Sequence, residues 1–123
     1  SHPPGFNDYS NVLKISYRQI DFLFCGDVEK FSESYLNLWR ATLQSEILKV
    51  PHHGSSTSSS QTFLEQITPD LAVISVGKNN KFRHPSAGTI ARYEALSTEI
   101  HRTDLSRALI INSDGHKYWI KPW

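Results

Sequence analysis

Hydrophobic and polar positions in the first part of the chain alternate in a way that predicts a strand hairpin. Residues 11–17 place three large apolar side chains at alternate positions, which is typical of a strand buried on one face. Residues 20–25 are apolar at nearly every position, so the returning strand is predicted to be buried on both faces. Residues 18–19 are then the turn of the hairpin.

The apolar spacing changes to that of a helix over residues 28–43. The apolar side chains form a stripe wide enough to pack on a sheet, made of Val28, Phe31, Tyr35, Leu38 and Thr42, with Leu36, Trp39 and Leu43 beside it. Asp27 stands just before this segment, where a carboxylate commonly serves as an N-cap. The pattern predicts one long helix after the hairpin.

The rest of the chain continues with short apolar strands and amphipathic helices. Strands are predicted at residues 47–50, 71–76, 99–102, 108–111 and 117–120, and helices at residues 61–67 and 86–96. The Asp114-Gly115 pair predicts a hairpin between the last two strands. The resulting order, β-β-α-β-α-β-α-β-β-β, predicts an α/β fold with a mixed sheet.

The serine-rich stretch at residues 55–60 allows two interpretations. Its composition is typical of a hinge or a disordered loop. It is also short, and Ser59 or Ser60 stands where it would cap the next helix, which favours an ordered loop. The sequence leaves both open.

Composition and charge indicate one small globular domain and exclude little else. The 123 residues are 38% hydrophobic and 20% charged, with a net charge of +1, so no strong field points to nucleic acid. A local basic patch or a metal would still bind phosphate. The single cysteine, Cys25, excludes an intrachain disulfide and a CxxC metal site, and is most simply a core residue.

Nothing in the sequence predicts a membrane span or a secretory signal. The longest apolar run, residues 71–76, is too short to cross a bilayer, and the first residues lack an apolar core. We expect residues 1–6 to be a tag remnant or a flexible start, or the chain to be cut from a longer protein. Residues 7–123 are then the domain.

The candidate chemistry lies where two predicted strands end. The third strand stops at Pro51 and is followed by His52, His53 and Gly54, while the second strand leads into Gly26 and Asp27. An isolated histidine pair is usually solvated, and an isolated Asp27 is usually a helix cap. Because neighbouring strands deliver a carboxylate and two imidazoles to their ends, a metal site is favoured.

Other chemistries fit the sequence poorly. There is no Gly-x-Ser-x-Gly elbow, no Walker A motif and no Gly-x-Gly-x-x-Gly. Carboxylate and imidazole ligands suit zinc, manganese or iron, and a carboxylate that bridges two metals suits phosphodiester hydrolysis. His84, in a basic loop, would by itself be a surface histidine.

Several motifs together resemble the metallo-β-lactamase-fold domain of ComEC/Rec2-type competence proteins. They occur in the family's order and are Asn-Val-Leu-Lys-Ile-Ser-Tyr, Phe-Leu-Phe-Cys-Gly-Asp, Leu-Lys-Val-Pro-His-His-Gly-Ser, Ile-Ser-Val-Gly, Asn80, His84-Pro85 and Arg-Thr-Asp. The resemblance covers roughly residues 7–115. It implies an αββα sandwich of two similar halves, of which this chain is the C-terminal half, a mixed β-sheet with helices on one face.

The resemblance also implies roles for individual residues. Asp27 would be the bridging carboxylate and His53 (or His52) the last metal ligand. The implied catalytic residues are His52 and Ser55, and the implied substrate-binding residues are Asn80 and His84. The family's first metal motif, His-x-His/Asp-x-Asp-His, is absent from the sequence.

The expected function is therefore that of a fragment of a metal-dependent phosphodiesterase or nuclease domain associated with DNA uptake. We expect two divalent metals, zinc or manganese, in the complete domain, weak or no metal in this chain, and no activity without the N-terminal half. The alternative is a non-catalytic module that binds DNA or a protein partner through Lys78, Lys81 and Arg83.

The expected location is that of a soluble domain cut from a bacterial membrane protein, on a side of the membrane that the sequence leaves open. Half a sandwich would expose an apolar sheet face, which predicts self-association as a two-fold dimer.

Overall fold

The computed structural model describes residues 5–121. The strands in this part of the chain are β1 (Leu13–Tyr17), β2 (Ile20–Phe24), β3 (Ile47–Lys49), β4 (Leu71–Ile74), β5 (Glu99–Arg102), β6 (Ile110–Ser113) and β7 (Tyr118–Lys121). The α-helices are α1 (Lys30–Leu36), α2 (Gln61–Ile67), α3 (Ala87–Ala95) and α4 (Thr103–Ser106). Short 3-10 helices lie at Phe6–Tyr9, Asn37–Leu43 and Pro51–Gly54.

Five of the strands form one mixed sheet in the order β1-β2-β3-β4-β5. β1 and β2 are antiparallel, whereas the pairs β2–β3, β3–β4 and β4–β5 are parallel. The predicted α/β class, the mixed sheet and the first hairpin are confirmed. Because β2, β3 and β4 are parallel, their carboxyl ends lie at the same edge of the sheet, which is where such folds build sites.

The main core lies between one face of the sheet and the helices. Leu23, Leu48 and Ala72 stand in register on neighbouring strands and point to this face. Phe63 of α2 and Tyr93 of α3 pack against them and are fully buried. Burying a large apolar side chain contributes roughly 1.5–3 kcal/mol, so this layer holds the helices on the sheet.

The other face of the sheet is partly covered by the terminal hairpin, which differs from the expectation of a wholly exposed face. β6 and β7 form a separate two-stranded antiparallel sheet. Ile111 and Tyr118 of this hairpin pack against Ile47 and Leu71. The sequence predicted the hairpin, but a local strand pattern does not specify the face on which a hairpin packs.

The predicted helix over residues 28–43 is wrong in its length and in its apolar stripe. α1 ends at Leu36, and Arg40 interrupts the following 3-10 segment with φ 47° and ψ −123°. Leu38 is 76% exposed and Trp39 is 64% exposed, so these two side chains do not enter the core. The N-cap is Glu29, which leaves the Asp27 side chain outside the helix.

A buried carboxylate explains why α1 presents an unexpected face to the core. Glu33 is completely buried, and its side chain accepts the backbone N–H groups of Ser59 and Ser60. Burial raises the pKa of Glu33, against the effect of these hydrogen bonds. From α3, Arg92 donates to the carbonyl oxygens of Ser58 and Ser59. Residues 55–60 are thus an ordered loop, and the linker interpretation is wrong.

The remaining predictions concern the chain ends and the membrane. Within residues 5–121, the longest helices are too short to cross a bilayer. Residues 1–4 of the predicted start, like residues 122–123 at the end of the predicted domain, lie outside the described part. The second half of a metallo-β-lactamase sandwich remains a prediction.

Candidate functional site

Asp27 is placed at the carboxyl edge of the sheet by a tight turn after β2. Gly26 adopts a positive φ of 56°, and a Cβ atom at this position would lie 3.1 Å from the Ser10 side chain. The Ser10 hydroxyl accepts the N–H of Asp27 at 3.2 Å. The glycine therefore allows the segment before β1 to approach closely and to hold Asp27 in position.

The two histidines follow β3 in an unusual backbone conformation. His52 and His53 both have positive φ values, 49° and 55°, which non-glycine residues adopt at a cost and only where the surroundings hold them. The N–H of His52 donates to the Gly26 carbonyl at 3.0 Å, and the His52 carbonyl accepts the N–H of Ser55 at 2.9 Å. The end of β3 is thereby tied to the turn that carries Asp27.

Asp27 and His53 form the first of two acid–histidine pairs. His53 Nε2 lies 3.6 Å from Asp27 Oδ1, and His53 Nδ1 lies 2.6 Å from the Ser75 carbonyl oxygen. A carbonyl only accepts, so Nδ1 carries a proton. The atom that faces the carboxylate is then Nε2, whose lone pair is the one a metal would use. Two acceptors that face each other in this way suit a shared cation. The predicted proximity is observed, and the role of metal ligand stays a prediction.

Glu29 and His52 form the second pair, which the sequence reasoning missed. His52 Nδ1 lies 3.2 Å from Glu29 Oε1, and the Thr57 hydroxyl donates to the same oxygen at 3.0 Å. The available signal was a second carboxylate two residues after Asp27, on the same turn. The carboxylate orients the imidazole ring and holds its Nδ1 proton.

His84 reaches the site from the loop between β4 and α3. Its ring centroid lies 5.6 Å from that of His52. Burial lowers the pKa of His84, and the neighbouring His52 and His53 lower it further, which favours a neutral ring. The sequence predicted that His84 would join the site, and the structure places it beside His52. Its substrate-binding role stays a prediction.

Asn80 holds this loop in shape. Its amide nitrogen donates to the carbonyl oxygens of Gly77 (3.1 Å) and His84 (2.7 Å), and its oxygen accepts the His84 N–H (2.8 Å). The side chain thus uses both donors within the loop, and it positions His84. Contact between Asn80 and a substrate stays a prediction.

Ser55 lies in the loop after the histidines and is 4% exposed. Its hydroxyl lies 2.9 Å from the Thr57 hydroxyl and also accepts the Thr57 N–H. These contacts shape the loop that presents Thr57 to Glu29. The catalytic role that the resemblance implied for Ser55 stays a prediction.

Gly54 allows the two loops of the site to meet. It has a positive φ of 83°, and an added Cβ would lie 2.5 Å from Pro85 Cβ. The Gly54 carbonyl accepts the N–H of Ser86 at 2.9 Å. Because Gly54 has no side chain, the backbones of the two loops approach closely, and His84 lies beside His52.

The site as a whole contains two carboxylate–imidazole pairs and a third imidazole. Within residues 5–121, three or more histidine, cysteine, aspartate or glutamate side chains are nowhere grouped so as to hold one metal ion. Asp27 and His53 would supply two ligands to a cation, which is fewer than the three or four that zinc proteins generally use. The fold and this site define an α/β domain with acid–histidine pairs at the carboxyl edge of its parallel strands.

Sequence comparison relates this domain to proteins of bacterial competence. ComE operon protein 3 of Bacillus subtilis is 33% identical over 102 residues, which is 83% of this chain and 13% of that protein. Competence protein ComA of Neisseria gonorrhoeae is 38% identical over 104 residues, 84% of this chain and 15% of that protein. Recombination protein 2 of Haemophilus influenzae is 31% identical over 107 residues, 86% of this chain and 13% of that protein.

The chain spans 13–15% of the length of these three curated relatives. No family model matches the chain. No solved structure matches it either. The similarity to the competence proteins covers most of this chain, as the motif resemblance predicted.

Proposed function

We propose that this chain is part of a metal-dependent phosphodiesterase domain that acts on DNA in bacterial competence, and that it contributes Asp27 and His53 to the metal site. The observation that carries the proposal is the geometry of His53. Its Nδ1–H donates to the Ser75 carbonyl while its Nε2 faces Asp27. Histidines that bind metals commonly donate their other ring N–H to a backbone carbonyl in this way.

The same geometry favours His53 over His52 as the metal ligand. His52 directs its Nδ1 at Glu29, so the two histidines have different partners and different tasks. Two ligands from this chain imply that the other ligands come from polypeptide outside its 123 residues. In the complete domain two zinc or manganese ions would bind, while this chain alone would bind metal weakly.

A divalent metal held by Asp27 and His53 would supply Lewis-acid polarisation of a phosphoryl oxygen and a water of lowered pKa. The chain's own residues would support the reaction in other ways. Glu29 orients His52 and keeps Nδ1 protonated, so Nε2 is available to exchange a proton with an oxygen of the substrate. His84, neutral because of its burial and its neighbours, would donate or accept a hydrogen bond at a phosphate oxygen.

The relatives support the biological setting of the proposal. One is named a competence protein, one is named for the ComE operon, and one is named for recombination. DNA is the phosphodiester common to such processes. We assign this chain to a domain of a larger, membrane-associated uptake protein, built as half of a metallo-β-lactamase sandwich that the remaining polypeptide completes.

Metal binding by the chain is the first test of the proposal. Titration calorimetry with zinc and with manganese should give micromolar affinity at best, because metal affinity depends on the number and preorganisation of ligands. Asp27→Asn and His53→Gln should each weaken binding to the limit of detection. His116→Gln removes an exposed histidine outside the site and is the matched control. Equal binding by all four proteins would overturn the assignment, as would one or two tightly held ions per chain.

Catalysis is the second test, and it requires the polypeptide that supplies the missing ligands. A protein that joins this chain to that segment should cleave labelled DNA only with zinc or manganese, and Asp27→Asn should abolish cleavage. His52→Gln should lower kcat more than it lowers metal affinity. The alternative, a non-catalytic module, is supported by the exposed Lys78, Lys81 and Arg83. It predicts DNA binding by the chain alone with no metal-dependent cleavage in the joined protein.

A further inference from the structure

The loop between β4 and α3, residues 77–86, presents an exposed aromatic ring beside the histidines. Phe82 is 67% exposed. Its ring stacks on that of His84, with 5.8 Å between the centroids and 18° between the planes. The His84 ring in turn contacts His52. A line of three rings therefore leads from the candidate site to the surface.

This ring lies in the most basic stretch of the chain. Lys78, Lys81 and Arg83 are exposed, and no carboxylate occurs between Asp70 and Glu94. In the described part of the chain, none of these three cations forms an ion pair. They are thus available to an anionic partner, although the net charge of the whole chain is only +1.

Hydrogen bonds within the loop define its shape and place Phe82 beside His84. The Asn80 side chain joins the two ends of the loop by donating to the carbonyl oxygens of Gly77 and His84. The backbone carbonyl of Asn80 accepts the Arg83 N–H. Lys81 Nζ lies 5.1 Å from the Phe82 ring centroid. Lys81 is exposed, so a planar group that stacks on Phe82 would displace Nζ from the ring and leave it for a phosphate.

We propose that residues 77–86 form a binding platform for single-stranded nucleic acid, with one base stacked on Phe82 and the flanking phosphates bound by Lys78, Lys81 and Arg83. The proposal rests on the phosphodiesterase function inferred above, because it identifies the form of the substrate at the same site. Exposed aromatic rings among cations are how proteins bind single strands without base specificity. In a duplex the base faces are already stacked on their neighbours, so Phe82 would have no partner.

Binding is best measured without metal, so that cleavage plays no part. Fluorescence anisotropy in EDTA at low salt would use labelled oligothymidylate and oligouridylate of about 12 nucleotides and a DNA duplex of the same length. Phe82→Leu keeps an apolar side chain of similar size and removes the aromatic face, while Phe82→Trp keeps a stacking surface. Trp39→Leu removes an equally exposed aromatic ring from another element and is the matched control.

The proposal predicts that Phe82→Leu weakens single-strand binding at least about fivefold and that Phe82→Trp and Trp39→Leu do not. Duplex binding should be weaker and insensitive to Phe82→Leu. The two oligonucleotides show whether the platform prefers DNA or RNA. Unchanged single-strand affinity in Phe82→Leu, an equal loss for the duplex, or no binding at all would overturn it, and the first result would indicate a purely electrostatic surface.

The two proposals can fail independently. If Phe82 proves irrelevant while Asp27→Asn abolishes metal binding, the phosphodiesterase assignment stands without the platform. If the platform binds single strands while the metal tests fail, residues 77–86 serve a non-catalytic module. Thermal melting of Phe82→Leu should match the parent chain, because the side chain is mostly exposed.

Discussion

Glu33 shows how one charged side chain determines the shape of the candidate site. It lies in the core, where its carboxylate accepts two backbone N–H groups from the serine-rich loop. That loop leads back to Thr57, which in turn bonds Glu29 beside His52. A buried acid that binds backbone therefore organises a loop which composition alone would describe as flexible.

Replacing Glu33 tests this contribution. Glu33→Gln keeps the size of the side chain but offers one acceptor oxygen to two N–H groups, so one buried donor loses its partner. We expect the free energy of unfolding near neutral pH to fall by about 1–3 kcal/mol. Denaturant titration measures the change, with Glu94→Gln as an exposed control of the same chemistry. A loss equal to that of the control would mean that Glu33 does not hold the loop.

The pH dependence of stability in the parent chain and in Glu33→Gln gives a second test. Burial raises the pKa of Glu33 in the folded protein above its ordinary value of 4.5. The folded state then binds this proton more tightly than the unfolded state, so the contribution of Glu33 to stability is most favourable below 4.5. This contribution declines as the pH rises from 4.5 to the pKa of Glu33 in the folded protein. Relative to Glu33→Gln, the parent chain should therefore gain stability as the pH falls through that range.

At the scale of elements, the site depends on the close approach of two loops. The loop after β3 carries His52, and the loop before α3 carries His84, and they meet where Gly54 faces Pro85. The strands define the edge of the sheet at which these loops lie. The distance between the loops is set by Gly54, whose lack of a side chain lets Pro85 approach.

Gly54→Ala should separate the loops. The new methyl group would overlap Pro85, and the positive φ would become strained, so we expect a loss of stability of at least about 2 kcal/mol. Gly77→Ala is the matched control, because a Cβ there meets nothing within 4 Å. Thermal unfolding compares the two variants. If Gly54→Ala and Gly77→Ala have the same melting temperature, the loops are not in close contact in solution.

At the scale of the whole molecule, part of the second sheet face remains apolar and exposed. The terminal hairpin covers β3 and β4, but Leu13, Ile15 and Tyr17 of β1 are about half exposed, and Phe24 of β2 is 40% exposed. These four side chains stand on the same face, because Leu13 pairs with Phe24 and the others follow at alternate positions. Contiguous apolar surface of this kind commonly marks an interaction site.

We expect the chain to self-associate through this surface. Sedimentation at micromolar concentration should show a dimer, and Ile15→Lys should shift it to monomer by placing a charge in the apolar surface. Leu38→Lys adds the same charge at an exposed leucine on the helical side and should leave the dimer intact. A well-folded monomer for the parent chain would contradict the prediction. Because the terminal hairpin already covers part of the second face, a dimer would bury less apolar area than the sequence suggested. The dimer should therefore be weak.

The sequence by itself determined the strands, the α/β class and the delivery of Asp27 and His53 to one edge of the sheet. These features follow from local periodicity and from a general property of parallel strands, whose carboxyl ends meet. The positions of α2, α3 and β5 followed from the same patterns.

Only the tertiary structure decided the break at Arg40, the pairing of Glu29 with His52, the ordering of the serines and the packing of the hairpin on the second face. The last three depend on contacts between residues far apart in the chain, such as Glu33 with Ser59 or Arg92 with Ser58. Such contacts override the local preference for helix or loop, because burial and hydrogen bonding stabilise whichever conformation brings the distant partners together. A pattern read along the chain contains no information about that partner.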